Sequence, residues 1–300
     1  MKKVQNVLEY ALVIFISKLA RLLPLRFALW CGRALGDFIF YIIPIRKKVS
    51  IENLAGAFPE KSQKEIHKIA RRTYQNFGQN IIEFMREPKA SPEILTKRVK
   101  FVNQELLENA IKNGKGAILL SGHFGNWEIM AAAISALGYP MLAIAREQRN
   151  TLINHIINDY RAAVNIGTIQ LGMALRGVLK ALRGNNFIAM LGDQDAHDEG
   201  VFVNFLGKPS ATARGPALFT IKTGAPLIFA ACVRQKDGNH IAYFEKVQSS
   251  DLHGLTEENI RILTQRHANL LEARIRKSPD HWFWMHKRWK TKPREKKLVK

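Results

Sequence analysis

The sequence predicts an α/β fold: a mostly parallel central sheet flanked by helices, with membrane-associated helices at the N-terminus. Three observations predict it. Short apolar runs at 116–120, 141–145 and 187–191 alternate with longer helical stretches, the pattern of a sheet built by crossovers. Each run stops at a polar or glycine-rich turn: Ser121-Gly122-His123, Arg146, and Gly192-Asp193. The first 45 residues are apolar, but Lys18, Arg21, Arg33 and Asp37 interrupt them.

Neither N-terminal apolar stretch, 11–16 or 27–45, reaches the roughly 18 uncharged residues of a spanning helix. A signal peptide is not expected, since no small-residue cleavage site follows a compact apolar core. Helices lying in the membrane interface fit better, with Trp30, Phe38, Phe40 and Tyr41 at the headgroup boundary and Arg46, Lys47 and Lys48 facing anionic headgroups. The alternative is a pair of ordinary core helices. Three parts are expected: membrane-associated helices (1–45), an α/β domain (46–291) and a basic tail (292–300).

Ser62 followed by Glu65 marks a helix start, and Ile66, Ile69, Tyr74, Phe77 and Ile81 fall at core-like spacings through 62–86. Glu83, on an apolar stretch, reads as a satisfied polar group of the core. Pro88 and Pro92 bracket a break. A short strand begins near Phe101 and a helix covers 105–113. Strand 116–121 and the His123 turn lead to a helix ending near 137. Strand 141–145, helix 150–163, strand 168–171, helix 173–182 and strand 187–191 follow. Residues 196–210 read as a loop, then helix 212–223, strands 226–233 and 241–247, and helix 257–277.

The 300 residues carry 46 Lys and Arg against 25 Asp and Glu, net +21, which suits an anionic partner: nucleic acid, anionic lipid or an acidic protein. Two cysteines, Cys31 and Cys232, argue against a disulfide scaffold and for a reducing compartment. No Cys/His cluster suggests zinc, so no metal is expected. No helix-turn-helix, zinc finger or RNA-recognition motif is visible, which sets nucleic acid aside.

The most informative segment is Ser121-Gly122-His123-Phe124-Gly125-Asn126-Trp127-Glu128, at a strand-to-helix turn where open α/β folds place chemistry. On one helix, His123 and Glu128 would point roughly 140° apart. With His123 in the turn and Glu128 in the first helical turn, the ring can fold back onto the carboxylate. His123 is then the expected general base and Glu128 the group that orients it. A bare H-x4-E is equally compatible with a tied strand–helix junction. Arg146 ends the next strand and is a candidate clamp for phosphate or developing charge, or a surface charge. Asp193 ends a strand as well. It could hold His123, bind an acceptor hydroxyl or cap a loop, and Gln194 beside it is a candidate donor to a carbonyl or sugar oxygen. Asn126 and the helix-start N–H groups are candidate oxyanion donors.

The segment 122–128 resembles the signature of the late (lauroyl/myristoyl) acyltransferases of lipid A biosynthesis, within a wider group of H-x4-D/E glycerolipid acyltransferases. Three further stretches are similar to the same family: Asn53-Leu54-Ala55-Gly56-Ala57-Phe58-Pro59-Glu60; Gly192-Asp193-Gln194-Asp195, followed by Phe205-Leu206-Gly207-Lys208-Pro209 and Arg214-Gly215; and His281-Trp282-Phe283-Trp284-Met285-His286-Lys287-Arg288-Trp289. The resemblance runs from about Arg46 to Trp289. It implies an O-acyltransferase that moves a fatty acyl group from an acyl-carrier-protein thioester to a hydroxyl of a lipid A precursor, with no other cofactor. The implied partners are acyl carrier protein and anionic lipids, and the implied place is the cytoplasmic face of the inner membrane. Relatives of the family acylate other glycolipids, including mannosylated phosphatidylinositol. Near the C-terminus, Trp282, Trp284 and Trp289 stand among Lys287, Arg288, Lys290, Lys292, Arg294, Lys296, Lys297 and Lys300, a mixture that suits a membrane interface or single-stranded nucleic acid. From Lys292 onward the expected state is a solvated tail.

Overall fold

The computed structural model describes residues 2–293. Its centre is a seven-stranded sheet built from β1 (Val99–Val102), β2 (Ala117–Ser121), β3 (Met141–Ala145), β4 (Ile166–Gln170), β5 (Phe187–Leu191), β8 (Leu227–Arg234) and β9 (His240–Lys246). The spatial order is β1-β9-β8-β2-β5-β3-β4. Every neighbouring pair is parallel except β8 and β9, which are antiparallel. Strand β2 is buried along its whole length, as a strand covered on both faces must be. Its side chains alternate between two cores. Ile118 and Leu120 join one, with Val178, Ala217 and Leu271 of α9 (Ala174–Arg183), α10 (Gly215–Thr223) and α11 (Glu257–Lys277). Ala117 and Leu119 join the other, with Leu95, Leu107 and Met130 of α5 (Pro92–Arg98), α6 (Glu105–Lys112) and α7 (Trp127–Ala136).

Helix α4 (Gln63–Arg86) starts with the expected capping box between Ser62 and Glu65. Helix α8 (Thr151–Ala162) is capped by Asn150. Two elements differ from expectation. Residues 47–57 form a helix, α3 (Lys47–Ala57). The segment read as a loop contains an antiparallel hairpin, β6 (Val201–Phe205) and β7 (Lys208–Thr212). Its turn is Leu206-Gly207, both at positive φ, as a two-residue primed turn requires. Leucine is an unusual choice there, which hid the turn. Its side chain is buried, and its N–H donates to Glu272 Oε2 at 2.6 Å, which holds the conformation.

The N-terminal helices are α1 (Lys2–Leu22) and α2 (Leu25–Tyr41). No described helix is long and apolar enough to cross a membrane. In α1, Leu8, Leu12, Phe15 and Leu19 follow helical spacing on one face, and that face is exposed. The opposite face, with Ser17 and Ala20, is buried: Ser17 Oγ lies 2.6 Å from Tyr160 Oη, and the Arg21 guanidinium donates to the Met85 carbonyl at 2.7 Å. Helix α2 packs closely on α4. A Cβ on Gly36 would come within 2.3 Å of the Tyr74 carbonyl oxygen. Trp30, Phe38 and Tyr41 are exposed, but Phe40 is buried against Tyr74, so it belongs to the core and not to a headgroup boundary.

Candidate active site

Strands β2 and β5 pair in parallel with Ser121 opposite Leu191, so their C-terminal ends lie side by side. Gly122-His123 and Gly192-Asp193 therefore emerge next to each other. His123 Nδ1–H donates to Asp193 Oδ1 at 2.7 Å, and the His123 backbone N–H donates to Asp193 Oδ2 at 2.8 Å. The buried Trp282 indole donates to the same Oδ2 at 2.7 Å. Burial alone would raise the Asp193 carboxyl; the charge of His123 and the donated hydrogen bonds outweigh it and hold it down at about 2. On His123, burial opposes the charge, but the negative charge of Asp193 and its hydrogen bond prevail, and the ring is raised above its ordinary value.

This geometry corrects the expected pairing. The carboxylate against the ring is that of Asp193. Glu128 points elsewhere, gripped in two-pronged fashion by Arg161 of α8: Nη2 to Oε1 at 2.5 Å and Nε to Oε2 at 3.2 Å. Its charge still reaches His123 and favours the imidazolium. The tie between them is electrostatic because the helical turn carries Glu128 away from the ring.

With Nδ1 committed, Nε2 carries the free lone pair. Gln194 Nε2 sits 3.4 Å from it. The ring is held edge-on by Trp127, centroids 5.0 Å apart, and flanked by Phe283 at 6.1 Å. Its side chain is 23% exposed, so Nε2 is within reach of a substrate while Asp193 is not.

The turn itself is fixed on several sides. A Cβ on Gly125, at φ +60°, would collide with the Cys232 carbonyl oxygen, so only glycine fits. The Gly125 N–H donates to the His281 carbonyl at 2.8 Å, the Phe283 N–H to the His123 carbonyl at 2.9 Å, and the Asn80 amide to the Gly125 carbonyl at 2.6 Å. Asn126 was expected to serve an oxyanion, but it is spent on structure. Its Oδ1 caps α7 by accepting from the Ile129 N–H, and its Nδ2 donates to Glu83 Oε2 at 2.6 Å. Glu83 is satisfied, as the sequence suggested: it also accepts from Arg98 at 2.5 Å and from Arg234 at 2.6 and 2.8 Å. Burial would raise its carboxyl, but Arg234 and its neighbours bring it down to about 2.

Arg146 is not brought to the ring. It ends β3, β5 lies between that strand and β2, and the side chain is exposed. Two of the three tryptophans of the C-terminal segment are in the core and not at an interface. Trp282 and Trp284 are 2% and 0% exposed, stacked edge to face at 4.5 Å. Arg288 is buried as well and donates to the Ala211 carbonyl and to Thr212 Oγ1. Asn53 of α3 donates to the carbonyls of Trp284 and His286 at 2.8 and 2.7 Å. The four segments singled out in the sequence thus converge on one place. Of the basic tail, Lys292 is exposed, while Arg294 to Lys300 lie outside the described residues.

Between α7 and strands β2, β3 and β5 is a cavity of about 60 Å³, walled in part by Trp127, the residue that packs against the His123 ring. Its wall is apolar (Leu119, Met130, Ile134, Met141, Ile144, Met190), and Trp127, Glu128 and Arg161 complete it. Sequence reasoning missed Arg161 and Trp282 as parts of the site. Both act on carboxylates at least 33 positions away in the chain, and no local pattern marks such pairs.

The chain matches the family model of the bacterial lipid A biosynthesis acyltransferases over residues 1–291. It is 23% identical over 274 residues to the lipid A biosynthesis palmitoleoyltransferase of Escherichia coli strain K12, covering 90% of this chain and 87% of that one. It is 27% identical over 256 residues to a lipid A biosynthesis acyltransferase of Haemophilus influenzae, covering 84% and 79%. A phosphatidylinositol mannoside acyltransferase of Mycolicibacterium smegmatis is 23% identical over 211 residues, covering 69% and 67%. This enzyme, with a His–Asp dyad at the ends of two parallel strands and matched along nearly its whole length, belongs to the bacterial lipid A biosynthesis acyltransferase family.

Proposed function

We propose that this acyltransferase works at the cytoplasmic face of the inner membrane, moving a fatty acyl group from an acyl-carrier-protein thioester to a hydroxyl of a lipid A precursor. The observation that carries this reading is the His123 ring, with Nδ1 tied to buried Asp193, its side chain partly exposed, and Trp127 packed between it and an apolar cavity. His123 Nε2 takes the proton of the acceptor hydroxyl, and that oxygen attacks the thioester carbonyl. Asp193 keeps the tautomer and stabilises the imidazolium as it forms. The tetrahedral oxyanion accepts from the Gln194 amide and from N–H groups at the start of α7. It collapses with loss of the thiolate, which leaves as the thiol with the proton from His123. An ester bond has formed, a thioester has broken, and the enzyme is restored.

The acyl chain occupies the cavity under Trp127. At about 60 Å³ the resting space is small, so the chain enters by displacing Met130, Met141 and Met190, whose unbranched thioethers repack at low cost. Glu128 and Arg161 neutralise each other at the cavity wall, and the Glu128 charge adds to that of Asp193 in favouring the imidazolium. Residues 1–45 supply the membrane contact through the outward stripe of Leu8, Leu12, Phe15 and Leu19, and the net charge of +21 suits anionic lipid, the phosphates of the acceptor and an acidic carrier protein alike.

The test is incubation of the purified enzyme with labelled acyl carrier protein and separate acceptors, followed by lipid mass spectrometry. A lipid A precursor one acyl chain heavier is the expected product. Acylation of phosphatidylinositol mannoside alone would move the enzyme to the other acceptor class, for which relatives are named. No transfer from the thioester to any lipid hydroxyl would overturn the reading.

A further inference from the structure

A second exposed apolar group lies far from α1 in sequence. Leu171, Met173 and Leu175 are 49%, 68% and 52% exposed, at the end of β4 and the start of α9. Helix α9 buries Val178 and Leu182 against the sheet and turns Arg176, Lys180 and Arg183 outward, at helical spacing on one face, with no acidic residue in its ten. Arg146 and Arg149, both exposed, follow the neighbouring strand β3. One acid, Glu147, lies among them, and its carboxylate accepts from the Gln170 amide at 2.6 Å. The patch thus joins an apolar tip to a surplus of fixed positive charge.

Its position matters as much as its composition. The Glu147–Gln170 bond links the loop after β3 to the end of β4. Asn150, at the far end of that loop, donates to the Asn6 carbonyl at 3.1 Å and to Glu9 Oε2 at 2.9 Å, both in the first turns of α1. The patch is therefore continuous with the N-terminal helix that carries the outward Leu8–Leu12–Phe15–Leu19 stripe. Leu171, Met173 and the start of α9 lie at the strand ends where His123 emerges, and α9 runs from there toward the opposite edge of the sheet, where Asn185 accepts from the Gly116 N–H ahead of β2.

We infer that Leu171, Met173 and Leu175 with the Arg176–Lys180–Arg183 face form a second docking surface for an anionic bilayer, which together with α1 sets the site at the membrane surface. This rests on the membrane-acyltransferase reading and adds to it a contact no part of the N-terminus supplies. The apolar tip inserts at the headgroup boundary and the cations pair with anionic headgroups. Arg146 and Arg149 then serve binding, not turnover.

The experiment is vesicle cosedimentation of the full chain, with vesicles of phosphatidylcholine alone or with 30 mol % phosphatidylglycerol, a composition of roughly the anionic content that recruits basic surfaces. Replacing Arg176, Lys180 and Arg183 by Gln is expected to lower partition to the anionic vesicles by roughly 10²-fold at low salt and to leave neutral vesicles little affected. Leu171→Ser with Met173→Ser and Leu175→Ser should lower partition to both kinds by about tenfold or more. Met173→Asp alone is a milder variant should the triple fold poorly. Acyl transfer in detergent micelles, run on the same samples, should stay near wild type. Unchanged vesicle partition in all variants overturns the inference. So does intact vesicle binding with lost binding to an acidic carrier protein, which would make the patch a protein-docking surface. Failure of the wild type to transfer an acyl group in micelles would instead sink the enzymatic reading, and it would be recognisable because vesicle binding is measured separately.

Discussion

Two buried carboxylates bracket the same turn, Asp193 on one side and Glu83 on the other. Both are held down at about 2, and both are fully satisfied by hydrogen bonds. Their partners differ. Glu83 is closed in by Arg98, Arg234 and Asn126, none of which turns more than a small part of its side chain to the outside. Asp193 is closed in by Trp282 and by a histidine whose other nitrogen faces outward. A depressed carboxyl therefore does not by itself mark the chemistry. What marks it is a titratable neighbour with one side buried and one side open. Glu83 braces the turn, and Asp193 raises the proton affinity of the histidine that the turn presents.

The largest effect that tests this contrast is at the base. His123→Ala should cut acyl transfer by roughly 10⁴-fold or more while leaving the circular dichroism spectrum near wild type. Retention of turnover would remove His123 from the mechanism and with it the distinction between the two carboxylates.

Asp193→Asn comes next, with an expected loss of roughly 10³- to 10⁴-fold, the scale seen when an orienting carboxylate is lost behind a histidine base. The pH profile adds a sign. Because His123 is raised above 6.5 by Asp193, kcat/KM of the wild type should fall with decreasing pH through an apparent value above 6.5. In the variant only burial remains as the main influence, and burial disfavours the charged ring, so the acid limb should move to lower pH. A limb that stays in place would show that Asp193 does not set the base. Glu128→Gln should move it the same way but less, since its carboxylate is bonded to Arg161 and acts on the ring only through space.

Glu83→Gln should reverse the pattern. Removing one partner of a buried ion pair costs about 3–5 kcal/mol, because Arg98 and Arg234 remain buried with their charge uncompensated. Chemical denaturation should register that loss, whereas the acid limb of the surviving folded fraction should stay where it is. A variant with wild-type stability and an altered pH profile would mean that Glu83 belongs with the chemistry after all.

How much of this was legible in the sequence follows from the range of each interaction. The strands and helices from 62 to 277 were mostly readable because apolar runs, the Ser62–Glu65 box and glycine-bearing turns act over a few residues. The proposed base stood out because His123 sits at a strand end between two glycines. Its partner did not, since the choice between Glu128 and Asp193 depends on β5 inserting beside β2, a pairing between residues some 70 apart. The hairpin at 201–212 escaped because Leu206 is an unusual turn residue held there by a contact with Glu272. The C-terminal tryptophans suggested an interface from their company of cations, yet packing placed Trp282, Trp284 and Arg288 in the core and left Lys287, Lys290 and Lys292 exposed.

The smallest expected effect comes from that core. Trp282→Phe keeps the ring packing and removes one donor from Asp193. A hydrogen bond to a charged acceptor is worth about 1.5–3 kcal/mol, so the carboxylate should lose part of its stabilisation and rise from about 2, still ionised near neutrality. Turnover should fall by about tenfold as the carboxylate orients the ring less firmly. The pH profile should move opposite to that of Asp193→Asn. A carboxylate relieved of one donor attracts the imidazolium more strongly, so the acid limb should shift upward. A purely structural tryptophan would change stability without moving the limb. A downward shift would mean that losing the indole loosens the His123–Asp193 contact itself, and Trp282 would then belong with Glu83 as a brace.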